Sequence, residues 1–184
     1  MRPTWDDTWI NLCYEMANRS KDRSTRVGSV IVGPNNIPRA LGYNGIPRNC
    51  KDDIDHRHGR PQKYFYFEHG ERNAIFNAAR EGVALEGCII YIPAPPCVDC
   101  SRAIIQSGIS EVVCDTLFVP ARWKEACDAG MEMLLEAELL IRQPNSDTPV
   151  ATWIYTEGNG WGGNRSRGLT PDPIDESVSC CQLF

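Results

Sequence analysis

Two short clusters, His69-Gly70-Glu71 and Pro96-Cys97-Val98-Asp99-Cys100, constrain the fold of this chain more than any other feature, because they make chemical sense only together. An imidazole and two thiols are zinc donors, and three protein ligands leave the fourth tetrahedral position for water, as in catalytic rather than closed structural sites. The fold must therefore bring residue 69 against residues 97 and 100. Glu71 then supplies a carboxylate beside that water. A C-x-x-C pair alone also occurs in structural zinc knuckles and redox pairs. A structural site would need a fourth Cys or His, and the remaining histidines, His56 and His58, lie in the charged stretch Asp52 to His58, which reads as a solvated loop.

At 184 residues, with 42% hydrophobic and 23% charged side chains, the chain is long enough for one well-buried core and too short to expect two. The expected organisation is a catalytic domain over residues 1–143 and a Gly-, Pro- and Ser-rich tail over 144–184. A net charge of -5 and a pI near 5.2 argue against a stable nucleic-acid partner, which would need a clustered basic surface. Met1 to Asp7 has no apolar signal core and no stretch approaches a membrane span, so a cytoplasmic protein is expected. The cysteines outside the motif, Cys13, Cys50, Cys88, Cys114, Cys127, Cys180 and Cys181, are odd in number and scattered, which suits a reducing compartment.

Hydrophobic spacing predicts a helix over Trp5 to Ala17, a strand over Val27 to Val32, a turn at Gly33-Pro34-Asn35-Asn36 and a second strand over Pro38 to Tyr43. Further along come a helix from Glu71 to Arg80, a strand from Cys88 to Ile92, a helix from Val98 to Gln106, and a strand from Glu111 to Cys114. A helix from Arg122 to Leu135 and an extended segment from Leu139 to Arg142 complete the pattern. This alternation predicts an α/β layer structure with helices on a mixed sheet. Both ligand clusters then fall at helix starts, so two positive helix ends converge on the metal and favour thiolate over thiol.

The H-x-E and P-C-x-x-C pair matches the signature of zinc deaminases, in which the glutamate shuttles protons. The wider runs His69 to Ile75, Pro96 to Ile109, Ser20 to Gly28 and Gly42-Tyr43-Asn44-Gly45-Ile46-Pro47 resemble the deoxycytidylate (dCMP) deaminases over about residues 5 to 142. The resemblance implies a three-layer α/β/α cytidine deaminase-like fold with a central mixed five-stranded sheet, Zn2+ held by His69, Cys97 and Cys100, and assembly as a homohexamer. It also implies conversion of dCMP to dUMP for dTMP synthesis, with Glu71 as the catalytic proton carrier. The alternatives are a deaminase of dCTP or 5-substituted dCMP, or a tRNA adenosine deaminase.

By the same resemblance the Gly70 amide donates to the pyrimidine O2, Asn44 binds the 3′-hydroxyl, and Arg26 contacts the 5′-phosphate, with Lys21 and Ser24 behind it. Those three residues also fit an ordinary polar turn. Regulation by dCTP or dTTP with Mg2+ is implied at the loop carrying Asn49, Asp52 and Asp53, with Arg80 on the following helix. Arg80 equally fits a C-terminal arginine favoured by the helix dipole. Relatives often carry a tyrosine after the strand ending at Cys114, and Asp115 to Pro120 has none. Lys63-Tyr64-Phe65-Tyr66-Phe67 reads first as core packing or a subunit contact and second as a pocket wall. In the tail, Trp153 and Trp161 are candidate anchors, and Cys180-Cys181-Gln182-Leu183-Phe184 resembles a prenylation box only superficially, because polar Gln182 follows Cys181.

Overall fold

A computed structural model describes residues 1–150 of the chain. The expectations for Trp153, Trp161 and Cys180-Cys181 lie outside the described residues. Helix α1 (Trp5–Ala17) starts at Thr4, whose hydroxyl accepts from the Asp7 amide at 3.0 Å while the Asp7 carboxylate accepts from the Thr4 amide at 3.1 Å. This reciprocal cap satisfies two of the amides that a helix start leaves bare.

Five strands follow: β1 (Gly28–Gly33), β2 (Ile37–Tyr43), β3 (Ile89–Ile92), β4 (Glu111–Cys114) and β5 (Leu140–Arg142). They form one sheet in the order β2-β1-β3-β4-β5, with β1 antiparallel to both β2 and β3, and β3, β4 and β5 mutually parallel. The sheet is mixed because a tight turn joins β1 to β2, whereas helices carry the chain from β3 to β4 and from β4 to β5. Asn35 and Asn36 make that turn at φ 60° and 58°, left-handed angles that asparagine tolerates.

Alternation along the strands builds the three layers. Val30, Val32, Tyr91 and Val113 pack on Trp9, Ile10, Cys13 and Tyr14 of α1. Ile31, Ile90, Ile92, Val112 and Cys114 point the other way, into a larger core with Ala74 and Ala78 of α3 (Gly70–Glu81), Ile104 of α4 (Val98–Gln106), and Met131 and Leu134 of α5 (Lys124–Glu136). The period of two puts neighbouring residues on opposite faces.

Boundaries shift by one or two residues from the sequence expectation. Val27 precedes β1, β2 begins at Ile37, and Cys88 stays outside β3 because its amide bonds back to Leu85 O at 3.0 Å. A 3₁₀ turn, Ala121–Trp123, delays α5 to Lys124. Two short elements have no counterpart in the prediction, the 3₁₀ turn Asp55–Arg57 and helix α2 (Lys63–Tyr66), both between β2 and α3. The first residues of the expected tail are tied down. Val150 N donates to Ile141 O at 2.7 Å, and Asn145 N donates to Asp6 at 2.8 Å.

One glycine positions α3. A Cβ on Gly42 would stand 2.2 Å from Gly70 O and 2.4 Å from Ala74 N, so β2 and the first turn of α3 meet backbone to backbone. Gly42→Ala is expected to push that turn away at a cost of about 1–3 kcal/mol, read as a lower urea midpoint at unchanged slope. An unchanged midpoint would show that the two elements separate freely.

Candidate active site

His69 and Cys97 are the residues immediately before α3 and α4, both in extended backbone, and Cys100 lies in the first turn of α4. This places His69 Nδ1 3.4 Å from each of the two sulfurs, with all three donor atoms within 4.8 Å of one another. Two helix starts therefore face one point. A hydrogen bond from Cys100 and the neighbouring His69 ring hold the Cys97 thiol well below its ordinary value against the effect of burial. Burial and the Cys97 charge push the Cys100 thiol well above its own. Two sulfurs this close cannot both ionise against one imidazole, whereas a dication among them allows it, and in this respect the donor set fits zinc.

Glu71 follows in the first turn of α3 and is buried. Burial pushes its carboxyl up, outweighing the attraction of His69. A carboxyl raised in this way holds a proton more readily than a free one, which suits a group that takes and returns a proton. Gly70 O is anchored by Ser29 Oγ at 2.7 Å. Its amide, at the first position of α3, is one of those a helix leaves without an internal partner.

A cavity opens over this triad. Tyr64, Phe65, Phe67 and Trp123 form its aromatic walls, and Asp22, Thr25, Asn44, Arg60 and Lys63 contribute its polar side. Trp123 meets His69 edge to face, with ring centroids 5.7 Å apart, and meets Tyr64 in the same way at 5.9 Å. The structure thus favours the pocket-wall reading of the Lys63 to Phe67 run over core packing. Val119 and Pro120 line the cavity in the segment that lacks the tyrosine, and Trp123 supplies an aromatic ring a few residues later.

His69, Glu71, Cys97 and Cys100 come together, with Gly70 and Asn44 on the same cavity. The Asn44 amide is already engaged, accepting from Val27 N at 2.8 Å and donating to Thr25 O at 2.8 Å and Asp22 at 3.1 Å. Arg26 and Lys21 are exposed and off the cavity wall, Arg26 donating to Asp22 O at 3.3 Å and Lys21 pairing with Asp52 at 2.7 Å. Ser24 accepts from Lys63 at 2.6 Å. Asn49 takes φ 67°, a left-handed geometry glycine would also allow. Asp52 and Asp53 lie in the loop after β2 and Arg80 sits exposed in the last turn of α3, away from the cavity. Among the cavity residues not singled out individually from sequence are Asp22, Arg60, Lys63 and Trp123. Asp22 lies in the Ser20 to Gly28 run and Lys63 in the Lys63 to Phe67 run, whereas no motif contains Arg60 or Trp123.

Residues 3–116 match the family model for the cytidine and deoxycytidylate deaminase zinc-binding region. The chain is 40% identical over 119 residues to a probable deoxycytidylate deaminase of Drosophila melanogaster, covering 59% of this chain and 58% of the fly protein. It is 33% identical over 136 residues to the deoxycytidylate deaminase of Homo sapiens, covering 71% of this chain and 73% of that one. The matched region thus spans somewhat over half of the fly relative. The fold is that of the dCMP deaminase from cyanophage S-TIM5, solved in complex with dCMP and dUMP, at a TM-score of 0.63 and 21% identity over 78% of this chain and 98% of that one. The matching region contains His69, Glu71, Cys97 and Cys100, and this chain belongs to the zinc-binding cytidine and deoxycytidylate deaminase family.

Proposed function

We propose that this protein hydrolyses dCMP to dUMP and ammonia. The observation that carries the reading is the buried Glu71 beside a His-Cys-Cys donor set, in a chain 40% identical to a probable deoxycytidylate deaminase and 33% identical to a deoxycytidylate deaminase. Held by His69, Cys97 and Cys100, zinc would supply Lewis-acid activation of water near neutral pH. Glu71 takes the proton released by that water and delivers it to N3 of the pyrimidine, which makes C4 electrophilic. The water oxygen adds to C4, and Glu71 carries the proton of the resulting C4 hydroxyl to the exocyclic amine, which leaves as ammonia while C4 becomes a carbonyl. The Gly70 amide donates to O2 and helps fix the ring, and the aromatic wall of Tyr64 and Trp123 excludes water from it.

In this reading the second lone pair of Asn44 Oδ1 accepts from the 3′-hydroxyl while the Asn44 donors hold the loop. For the phosphate, Arg60 is the first candidate among the cations that line the cavity, Lys63 being held by Asp22 and Ser24 and Arg72 by Glu68, and Arg26, with Lys21 and Ser24, is the outer candidate. Regulation by dCTP or dTTP with Mg2+ at Asn49, Asp52, Asp53 and Arg80 belongs to the same proposal, supported by the retained left-handed backbone at Asn49. So does a homohexamer in the cytoplasm. Among the described residues no helix is long and apolar enough to cross a membrane.

The test is ammonia release from dCMP, CMP, dCTP, deoxycytidine and 5-methyl-dCMP by zinc-loaded protein, with and without dCTP or dTTP plus Mg2+. The expected result is preference for dCMP and a response to the triphosphates. Faster turnover of dCTP or the 5-methyl nucleotide would reassign the substrate. Silence on every free nucleotide would transfer the chemistry to a base in RNA.

A further inference from the structure

One wall of the cavity carries an ion pair that the chemistry above leaves unused. Lys63 opens α2 and is 5% exposed, and Asp22, in the loop after α1, is 2% exposed. Lys63 Nζ donates to the two Asp22 oxygens at 3.0 and 2.8 Å and to Ser24 Oγ at 2.6 Å. Asp22 also accepts from the amides of Ser24 and Thr25 at 2.9 and 3.2 Å and from Asn44 Nδ2 at 3.1 Å. Burial pushes the Asp22 carboxyl up, but Lys63 and these amides hold it below its ordinary value. Asn44 continues the chain of contacts, because its own amide donates to Val27 O at 2.9 Å. Val27 O and Asn44 N in turn lie 3.0 and 3.5 Å from the place where a Cβ on Gly70 would stand.

The contacts therefore run from Lys63, through Asp22 and Asn44, to the residue between the metal histidine and Glu71. A buried pair of this kind is weak evidence for stability, since apolar side chains of similar size often stabilise as well or better. Its position is more informative, because it ties the 20–27 loop to the segment that leads into His69. With the pyrimidine ring at Glu71 and the aromatic walls, the polar side formed by Thr25, Val27 and Asn44 is what remains for the sugar and phosphate. We infer that Lys63 is a positioning residue for nucleotide binding: through Asp22 it fixes the Thr25, Val27 and Asn44 wall without touching the reacting atoms. The inference rests on the nucleotide-deaminase reading above.

The experiment compares wild type, Lys63→Met and the double variant Asp22→Asn/Lys63→Met, as full chains loaded with zinc. It measures kcat and KM for dCMP, dUMP affinity by calorimetry and the thermal midpoint. Lys63→Met leaves the Asp22 charge alone and lowers the midpoint; the double variant leaves no buried charge alone and regains it. Displacement of the wall by a fraction of an ångström weakens binding of the remote part of the substrate, so both variants are expected to raise KM about 10-fold or more with kcat within about 3-fold of wild type. Weakened dUMP binding accompanies the rise. A purely structural pair predicts instead that the double variant recovers KM together with its midpoint, and that result overturns the inference. Should Lys63→Met not fold, the double variant alone decides between these outcomes. Wild-type protein inert toward dCMP removes the deaminase reading and the inference together, whereas active wild type with variants of unchanged KM removes the inference only.

Discussion

Glu71→Gln is expected to lower kcat for dCMP by about 10³-fold, while zinc content and dUMP affinity stay at wild-type level. Glutamine keeps the shape of the side chain and fills the same buried place in the first turn of α3, so neither the helix nor the packing against it has reason to move. What it lacks is the ability to take a proton from water and hand it on. The proposed reaction uses that ability at least twice, at N3 and at the departing amine, so no single alternative base substitutes for it. Glu71 is also not among the clustered donor atoms of His69, Cys97 and Cys100. The measurements are ammonia release, metal analysis after gel filtration and calorimetry with dUMP. Activity above a tenth of wild type would remove Glu71 from the proton path, and loss of zinc together with activity would make it a ligand.

The His69, Cys97 and Cys100 donor cluster was legible in the sequence because coordination chemistry restricts both the types of its residues and their local spacing. Zinc accepts few side chains, and two donors from one C-x-x-C turn arrive together on the first turn of a helix. The sheet was legible for a related reason. Val30, Ile31 and Val32 alternate between two helical layers whatever the details of the loops, and the Gly-Pro-Asn-Asn turn announces the hairpin. Where β1, β2, β3 and α5 begin depends on single hydrogen bonds, such as that of Cys88 N to Leu85 O, and periodicity does not report those.

The remainder of the cavity was less legible because it is assembled over long sequence separations. Lys63 meets Asp22 across 41 residues from a helix only 4 residues long, too short to show a period. Trp123 reaches His69 from a 3₁₀ turn beyond β4, and nothing in its neighbours marks it as part of a metal site. Arg26 shows the converse limit. Its place in a family-like run is evident from sequence, yet the direction of its side chain, exposed and bonded to Asp22 O, is a property of the folded loop alone.

Cys100→Ala is expected to weaken zinc binding on the order of 10²–10³-fold, taking about 10–16 kcal/mol for a site of four ligands as shared among them. The consequence reaches beyond catalysis, because zinc that binds only the folded chain stabilises it by mass action, and a loss of that size withdraws about 3–4 kcal/mol at saturating metal. Cys100 is fully buried in the first turn of α4, and its sulfur and that of Cys97 each lie 3.4 Å from His69 Nδ1. Removing it unties the start of α4 from the start of α3. The variant should therefore melt below zinc-loaded wild type, and added zinc should raise its midpoint only at concentrations about 10²–10³-fold higher than those that raise the midpoint of chelator-stripped wild type. Cys127→Ala is the control. That thiol is also buried and lines the same cavity, but it bonds to Pro95 O at 3.6 Å and stands outside the donor cluster, so its loss leaves zinc in place. Retention of zinc by Cys100→Ala under a chelator that strips wild type would show that the sulfur is a packing group. The metal would then be held by His69 and Cys97 with some other donor.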